Sequence, residues 1–385
     1  MAALEVLQVN KLYQPHVGGV EEVVRLLAEG CAGRQDIHAR VLVCNEGMRT
    51  VRETVRGVDV TRVGSLGRLR SEPLAPAFPR HLLRSDADIY HFHAPFPLGE
   101  AAGLRLGGEK KIVTWYHSDV IRQRLFLRAY RPLLERFLAR NSAIMVSSPN
   151  LISSSPFLGP LADRCRVVHF GIETGRFRLD EKTAAAAAGL RERYESGGGL
   201  VLCVGRLVYY KGLEHLIDAM GEVDAGLLIL GRGPLRGELQ RRAEAGGISR
   251  RVHFVDWASS EELPSFYHAC DLLVLPSVAR SEAFGLVLLE AQACGKPVIS
   301  TELGTGTSYV NLDGVTGIVV PPGAARSLAA AIASLLGDAR LREEMGTRGR
   351  ERVEREFGLS AMIDRVAAIY AEVMQGNGGI RGTGS

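Results

Sequence analysis

The chain has only six cysteines among 385 residues, at 31, 44, 165, 203, 270 and 294, and no two form a C-x-x-C pair. Such scatter argues against a metal or disulfide role. Several lie inside apolar runs such as "LVLCVGR" and read as reduced core residues of a cytoplasmic protein. No apolar run reaches the ~20 residues of a membrane span. The first residues, "MAALEVLQVNKLYQ", lack the basic, apolar, small-residue order of a secretory signal. Acidic clusters are missing too. The D-x-D of Asp86 to Asp88 precedes its strand, at the wrong end of a parallel sheet for a ligand. No other acidic group offers an oxygen cage for a hard cation. No metal, no cofactor and no nucleic-acid partner are expected. A full G-x-G-x-x-G after the first strand is also absent. The stretch "NKLYQPHVGGVE" stands there, which argues against an NAD-dependent oxidoreductase.

What is present is an alternation of short apolar strands and helical patterns. Strand-like runs occupy 4–10, 39–44, 88–93, 111–117, 143–147 and 166–170, then 200–205, 226–231, 251–256, 271–276, 297–301 and 317–320. Short continuous apolar strands between helices indicate parallel sheet covered on both faces. The length exceeds one ordinary core, and each set of six strands suffices for one doubly wound unit. The expected fold is α/β, with two Rossmann-like doubly wound domains facing a cleft. The boundary falls near 178, before the alanine-rich "EKTAAAAAGLRERYESGGG". This gives an N-terminal domain 1–178 and a C-terminal domain 179–358. A last helix, 359–375, packs back on the N-terminal domain, and a disordered tail covers 376–385. Net charge is +4 but uneven: residues 1–190 carry 26 Lys/Arg against 19 Asp/Glu, the remainder 21 against 24. A basic N-terminal half suits an anionic partner, or is chance spread over a solvated surface.

Ligands of such sheets bind at the C-terminal ends of strands, so the loops that follow them are where chemistry belongs. After the first strand, "QPHVGGVEEVVRLL" sets Gly18 and Gly19 before an amphipathic helix. Paired glycines let a ligand approach the backbone, and a helix N-terminus offers N–H groups to an anion. A plain turn uses the same residues. After the 200–205 strand, "GRLVYYKGLEHLIDA" puts Arg206 and Lys211 in one loop before a helix. That is a diphosphate clamp, or two solvated cations. "LILGRGPLRGEL" has its third glycine, Gly237, off the dinucleotide spacing. "DLLVLPSVARSEAFGLVLLEAQACGKPVIST" reads as strand, loop, helix, strand, with Glu282 in the loop and Glu290 inside the helix. Eight helical steps would leave them roughly 80° apart, about 12 Å along the axis. One acid can hold a group at the helix mouth, beside the N–H groups of Phe284, Gly285 and Leu286. The other then meets a second part of an extended ligand. Carboxylates accept hydrogen bonds from hydroxyls, which sugars and ribose supply. A capping glutamate and a solvated one would read the same.

Taken together, "GGVE", the histidine of "TWYHSD", "VGRLVYYKG", "GRGP" and the two glutamates with "AFG" and "EAQACGKPVI" resemble the retaining GT-B glycosyltransferases of family 4. The resemblance covers almost the whole chain. The stretch ending "ELGTGTSYV" is similar to bacterial mannosyl- and rhamnosyltransferases of surface-polysaccharide assembly. The resemblance implies a hexosyltransferase with a nucleotide-diphosphate sugar donor. GDP-mannose or a GDP-deoxyhexose is the reading, a UDP-sugar the alternative, with a glycan or polyprenol-diphosphate-linked acceptor. It implies that Gly18 and Gly19 approach the donor phosphate, and that Arg206 and Lys211 neutralise the leaving diphosphate. Glu282 would hold hydroxyls of the transferred sugar, helped by Phe284, Gly285 and Leu286 N–H groups, and Glu290 the ribose. The backbone around Val255 and Asp256 would read the base, and His117 would lie beside the reacting sugar. Retention is implied without a protein nucleophile. One departure is "VVHFGIE", with His169 and Glu173 where the family commonly has Pro and Asp or Asn. A non-catalytic sugar-nucleotide-binding protein is the reading of a different class, separated by a donor-hydrolysis assay.

Directly after "YHSD" stands "IRQRLFLRAYRPLLERFLAR", residues 121–140, with six arginines and one glutamate. Leu125, Phe126, Leu133, Leu134, Phe137 and Leu138 add apolar bulk. Such a segment suits the headgroup plane of an anionic membrane, placing the protein peripherally on the inner face of the cell membrane. It also suits a helix packed on the domain core, with Pro132 splitting or beginning it.

Overall fold

The computed structural model describes residues 3–16, 18–69, 72–119 and 124–376, with the backbone alone at 69, 124–127 and 129. Arg122 of the basic segment and residues 377–385 of the expected tail lie outside the described residues. The chain forms two compact units. One comprises Met1–Phe170 with the C-terminal segment from Leu359, the other Gly171–Gly358. The expected boundary near 178 lies inside the second unit. There Phe177 is buried, and the carbonyl of Phe177 is 2.9 Å from His268 Nε2. All six cysteines are buried and free.

The first unit is built on strands β1 (Leu4–Val9), β2 (Ile37–Cys44), β3 (Val51–Val55) and β4 (Val58–Val63). A small hairpin, β5 (Arg68–Leu69) with β6 (Glu72–Pro73), stands apart. Then come β7 (Ile89–Ala94), β8 (Lys111–Tyr116), β9 (Ala143–Val146) and β10 (Cys165–Val167). The sheet order is β10-β9-β8-β7-β1-β2-β4-β3. Every neighbouring pair is parallel except β3 on β4, which closes the edge antiparallel. β3 and β4 were not among the expected strands. "VDVTRV" buries Val58 and Val60 on one face and Val63 on the other, with Asp59, Thr61 and Arg62 between them, instead of presenting a continuous apolar run.

The second unit holds β11 (Leu200–Val204), β12 (Gly226–Leu230), β13 (Val252–Val255), β14 (Leu272–Leu275), β15 (Val298–Thr301) and β16 (Gly317–Val320). All pairs are parallel, in the order β13-β12-β11-β14-β15-β16. Numbered from β11, this is the doubly wound order 3-2-1-4-5-6. Its direction of winding reverses between β11 and β14, and ligands bind in the crevice beyond the strand ends at such a point. In the first unit the same reversal lies between β1 and β7.

The C-terminal helix Leu359–Met374 belongs to the first unit. It buries Met362, Ile363, Val366, Ile369, Tyr370 and Val373, a stripe at helical spacing. Gly30 lets the helix Gly19–Ala32 approach it closely: a Cβ there would lie 2.0 Å from Ile363 Cδ1. Arg34 pairs with Asp364 at 2.6 Å and Arg166 with Glu372 at 2.7 Å.

The basic segment forms one helix, Arg124–Ala139, that runs through Pro132 without splitting. Tyr130, Leu134, Phe137 and Leu138 are buried along one side and hold it to the core across the missing hydrogen bond. Three of the apolar side chains expected at a membrane surface are thus core residues. Among the described residues no helix is long and apolar enough to cross a membrane.

Candidate active site

In the second unit, the loops after β11 and β14 meet at the reversal point. The β11 loop passes through a 3-10 turn, Tyr209–Lys211, and Gly212, then enters the helix Leu213–Met220. The β14 loop carries Glu282 and enters the helix Leu286–Ala293 through Gly285. Lys211 Nζ and Glu282 Oε2 are 2.6 Å apart, with side chains 13% and 11% exposed. Ser277 donates to the same oxygen at 3.1 Å, and Thr305 Oγ1 donates to the Glu282 carbonyl at 2.8 Å. Burial pulls the Lys211 ammonium down, but the charge and hydrogen bond of Glu282 outweigh it and hold its pKa above the ordinary value. Gly205 makes room for the lysine, since a Cβ there would sit 3.3 Å from its Cε and Nζ. Gly285 sits at φ +80°, so the chain turns into the helix where a side chain would be strained. The helix start that follows is where N–H groups not used within the helix are available to a ligand, although Leu288 N already donates to the Gly285 carbonyl at 2.9 Å.

The other expected residues of this unit are placed as follows. Arg206 is exposed, with its guanidinium 3.4 Å from the Tyr210 hydroxyl. Phe284 is buried and stacks edge-on with Phe357. Glu290 accepts a short hydrogen bond from the hydroxyl of Tyr267. Burial first, and then Glu290, drive the Tyr267 pKa well above the ordinary value, so this hydroxyl stays a donor. The Val255 carbonyl accepts from Gly231 N at 2.8 Å, and Asp256 is ion-paired to Arg236, with Arg232 at 3.7 Å. Ser277 and Tyr267, which hold the two glutamates, were not foreseen. Neither carries a local sequence signal.

In the first unit, Gly18 caps the helix Gly19–Ala32 in extended conformation. The Glu21 carboxylate folds over it: a Cβ on Gly18 would lie 2.2 Å from Glu21 Oε2. An anion approaching from that side must displace this carboxylate. Asp86 pairs with Lys110 at 3.1 Å and Asp88 accepts from Glu5 N at 2.9 Å, ahead of β7 at the N-terminal ends of the strands, opposite the ends where ligands bind. His169 Nδ1 lies 2.9 Å from the Ser147 carbonyl, and Glu173 is exposed before the 3-10 turn Thr174–Phe177.

His117 follows β8 and is 3% exposed. It belongs to a stack of rings. His91 and His93 are 4.7 Å apart, His93 and His117 5.2 Å, and Trp115 and Phe170 lie against His117 at 5.9 and 5.5 Å. Burial pushes His91 and His117 down to about 3 and His93 well below its ordinary value. All three imidazoles are neutral at physiological pH.

Two doubly wound α/β units, each with its winding reversal among the strand-end loops, are the architecture of the GT-B glycosyltransferases. The model of "Glycosyltransferase Family 4" matches residues 17–176, and that of "Glycosyl transferases group 1" matches 191–352. The chain is 34% identical to the O-antigen chain mannosyltransferase C of Escherichia coli, over 97% of this chain and 99% of that one. It is 36% identical to the D-rhamnosyltransferase WbpZ of Pseudomonas aeruginosa over 92% of each. With a Mycolicibacterium smegmatis GDP-mannose-dependent phosphatidylinositol monomannoside mannosyltransferase it shares 32% over 76% and 79%. The chain belongs to the family 4 glycosyltransferases. Its fold matches sucrose-phosphate synthase of Thermosynechococcus elongatus, with a TM-score of 0.81 at 24% identity over 97% and 100%. It also matches Anabaena HepE in complex with UDP-glucose, at 0.78 and 19% over 96% and 100%.

Proposed function

We propose that this glycosyltransferase moves mannose, or a related deoxyhexose, from its GDP-sugar to a glycan or lipid-linked acceptor, with retention and without a metal. The buried Lys211–Glu282 pair at the strand-end crevice carries the reading. Names of the relatives support the sugar and the base. Glu282 receives hydroxyls of the transferred sugar on the oxygen that Lys211 and Ser277 do not hold. Glu290, fixed by Tyr267, receives the ribose hydroxyls. The bond between the sugar C1 and the phosphate oxygen breaks, and its electron pair leaves with the phosphate. Arg206, Lys211 and the helix mouth at Phe284, Gly285 and Leu286 stabilise that charge. The acceptor oxygen attacks C1 on the same face, and its proton passes to the leaving phosphate oxygen. His117 stands beside the sugar, and Gly18 and Gly19 stand by the phosphate once Glu21 moves aside. Val255 and Asp256 lie beside the base.

The donor is tested by thermal shift with GDP, UDP and ADP, then by transfer from the preferred nucleotide's sugars in excess EDTA. The expected result is stabilisation by GDP, of about 2.7 kcal/mol at a hundredfold excess over Kd, and turnover that survives EDTA. Binding of UDP with none of GDP overturns the donor. Turnover lost to EDTA and restored by magnesium or manganese overturns the metal-free mechanism.

A lipid-linked acceptor places the enzyme at an anionic membrane. Exposed Arg128, Arg131 and Arg136 on the helix Arg124–Ala139 support electrostatic docking, with Leu134, Phe137 and Leu138 kept in the core. Each arginine near such a surface contributes about 1 kcal/mol. Changing the three to glutamate is expected to lower sedimentation with anionic liposomes about a hundredfold. Equal partitioning onto neutral and anionic vesicles, unchanged in the variant, would remove the membrane from the reading.

A further inference from the structure

Behind His117 a chain of hydrogen bonds crosses the core of the first unit. His117 Nε2 lies 2.9 Å from His93 Nδ1, and His93 Nε2 lies 2.8 Å from Gln8 Oε1. Gln8 Nε2 donates to the Tyr370 hydroxyl at 3.1 Å, and that hydroxyl lies 2.5 Å from His91 Nδ1. No member is more than 3% exposed.

The donors and acceptors of this chain follow in order. The amide oxygen of Gln8 can only accept, so His93 Nε2 carries the proton. A neutral imidazole has one N–H, so His93 Nδ1 is a lone pair. His117 Nε2 must therefore donate to it, which leaves His117 Nδ1 bare. That nitrogen has no hydrogen-bond partner among the described residues. At the far end, the Gln8 amide donates to the Tyr370 oxygen, and Tyr370 gives its own proton to His91 Nδ1. The amide orientation of Gln8 sets the polarity of the whole chain.

We propose that His93, Gln8 and Tyr370 are positioning residues for sugar transfer: they lock His117 in the tautomer protonated on Nε2, so that Nδ1 accepts a hydrogen bond from a donor-sugar hydroxyl. The proposal rests on the reading that His117 stands beside the transferred sugar. A hydroxyl facing a lone pair must donate, which fixes its direction and frees its own oxygen to accept elsewhere. Tyr370 lies on the last helix of the chain, so that helix acts on the chemistry through a side chain as well as through packing.

The test is histidine-selective nitrogen-15 NMR of the full chain, with His117 assigned by the loss of its signals in His117→Ala. The expected wild-type result is a His117 protonated on Nε2 alone. Tyr370→Phe and Gln8→Leu are each expected to populate the form protonated on Nδ1. Their kcat falls about tenfold while donor KM stays within twofold, since Arg206, Lys211 and Glu290, proposed to hold the diphosphate and ribose, are untouched. A wild-type His117 protonated on Nδ1 overturns the proposal. So does an unchanged tautomer in both variants, whether or not kcat falls, because a fall alone reports lost packing. The two readings separate cleanly: His117→Ala with wild-type kcat sinks the placement beside the sugar and leaves the tautomer result standing.

Discussion

Replacing Glu282 by alanine is expected to lower kcat/KM for transfer at least a hundredfold, a barrier increase of about 2.7 kcal/mol. Two losses combine. The sugar hydroxyls lose a charged acceptor, and Lys211 loses the partner that holds it 2.6 Å away. With the side chains 13% and 11% exposed, the orphaned ammonium is costly. Removing one member of a buried pair costs about 3–5 kcal/mol. The melting temperature therefore falls with the activity, and the two effects have to be separated. Glu282→Gln with Lys211→Met removes both charges at similar volume. That double variant is expected to regain much of the melting temperature and none of the activity. Glu290→Ala should instead raise donor KM, because it removes the acceptor proposed for the ribose hydroxyls and leaves the Lys211–Glu282 pair in place. If Glu282→Ala keeps more than about a tenth of the wild-type rate, a loss under about 1.4 kcal/mol, Glu282 does not hold the sugar in the transition state.

Both halves of that pair are visible in the sequence, but the pairing is not. Lys211 and Glu282 stand 71 residues apart in separate loops. They meet because β14 lies beside β11 at the point where the sheet reverses, and strand order is not written in local spacing. The six strands of the second unit were legible because each is a continuous apolar run, which only a doubly covered parallel strand requires. β3 and β4 lack that signature, since β3 is exposed along nearly its whole length and polar or charged residues interrupt both. The helix through Pro132 shows the reverse case, with burial of Leu134, Phe137 and Leu138 overriding a local breaker. The histidine chain was the least legible part. "DIYHFH" reads as a strand, and nothing in it says that His91 and His93 lie wholly buried. Tyr370, the partner of His91, arrives from the far end of the chain, 279 residues away.

Acid is expected to unfold the first unit well before it titrates ordinary carboxylates. Burial holds His91 and His117 down to about 3, and His93 well below its ordinary value, in the folded state. In the unfolded chain each titrates near 6.5. Below that pH the unfolded chain binds protons that the folded chain refuses. The stability is thus present above about pH 6.5 and is lost progressively as pH falls toward 3, by up to about 1.4 kcal/mol per pH unit for each imidazole. One group works the other way. Burial raises Glu100, which accepts from Phe96 N and the Tyr130 hydroxyl, to about 7. As pH falls from 7 to 4.5, the folded state takes up that proton first and gains stability. The balance is two imidazoles' worth, on the order of 4 kcal/mol between pH 6.5 and 5. The chain's two tryptophans make this measurable. Trp115 is buried in the histidine stack, whereas Trp257 of the second unit is 61% exposed. Urea unfolding followed by the buried tryptophan's fluorescence should show the midpoint dropping steeply from pH 6.5 to 5. His91→Phe keeps the ring against Trp115 and removes one titrating group, so its slope should be about half as steep. A wild-type midpoint that stays level or rises over that range would mean the three rings are not held neutral, and with it would go the order of donors and acceptors that runs from Tyr370 to His117.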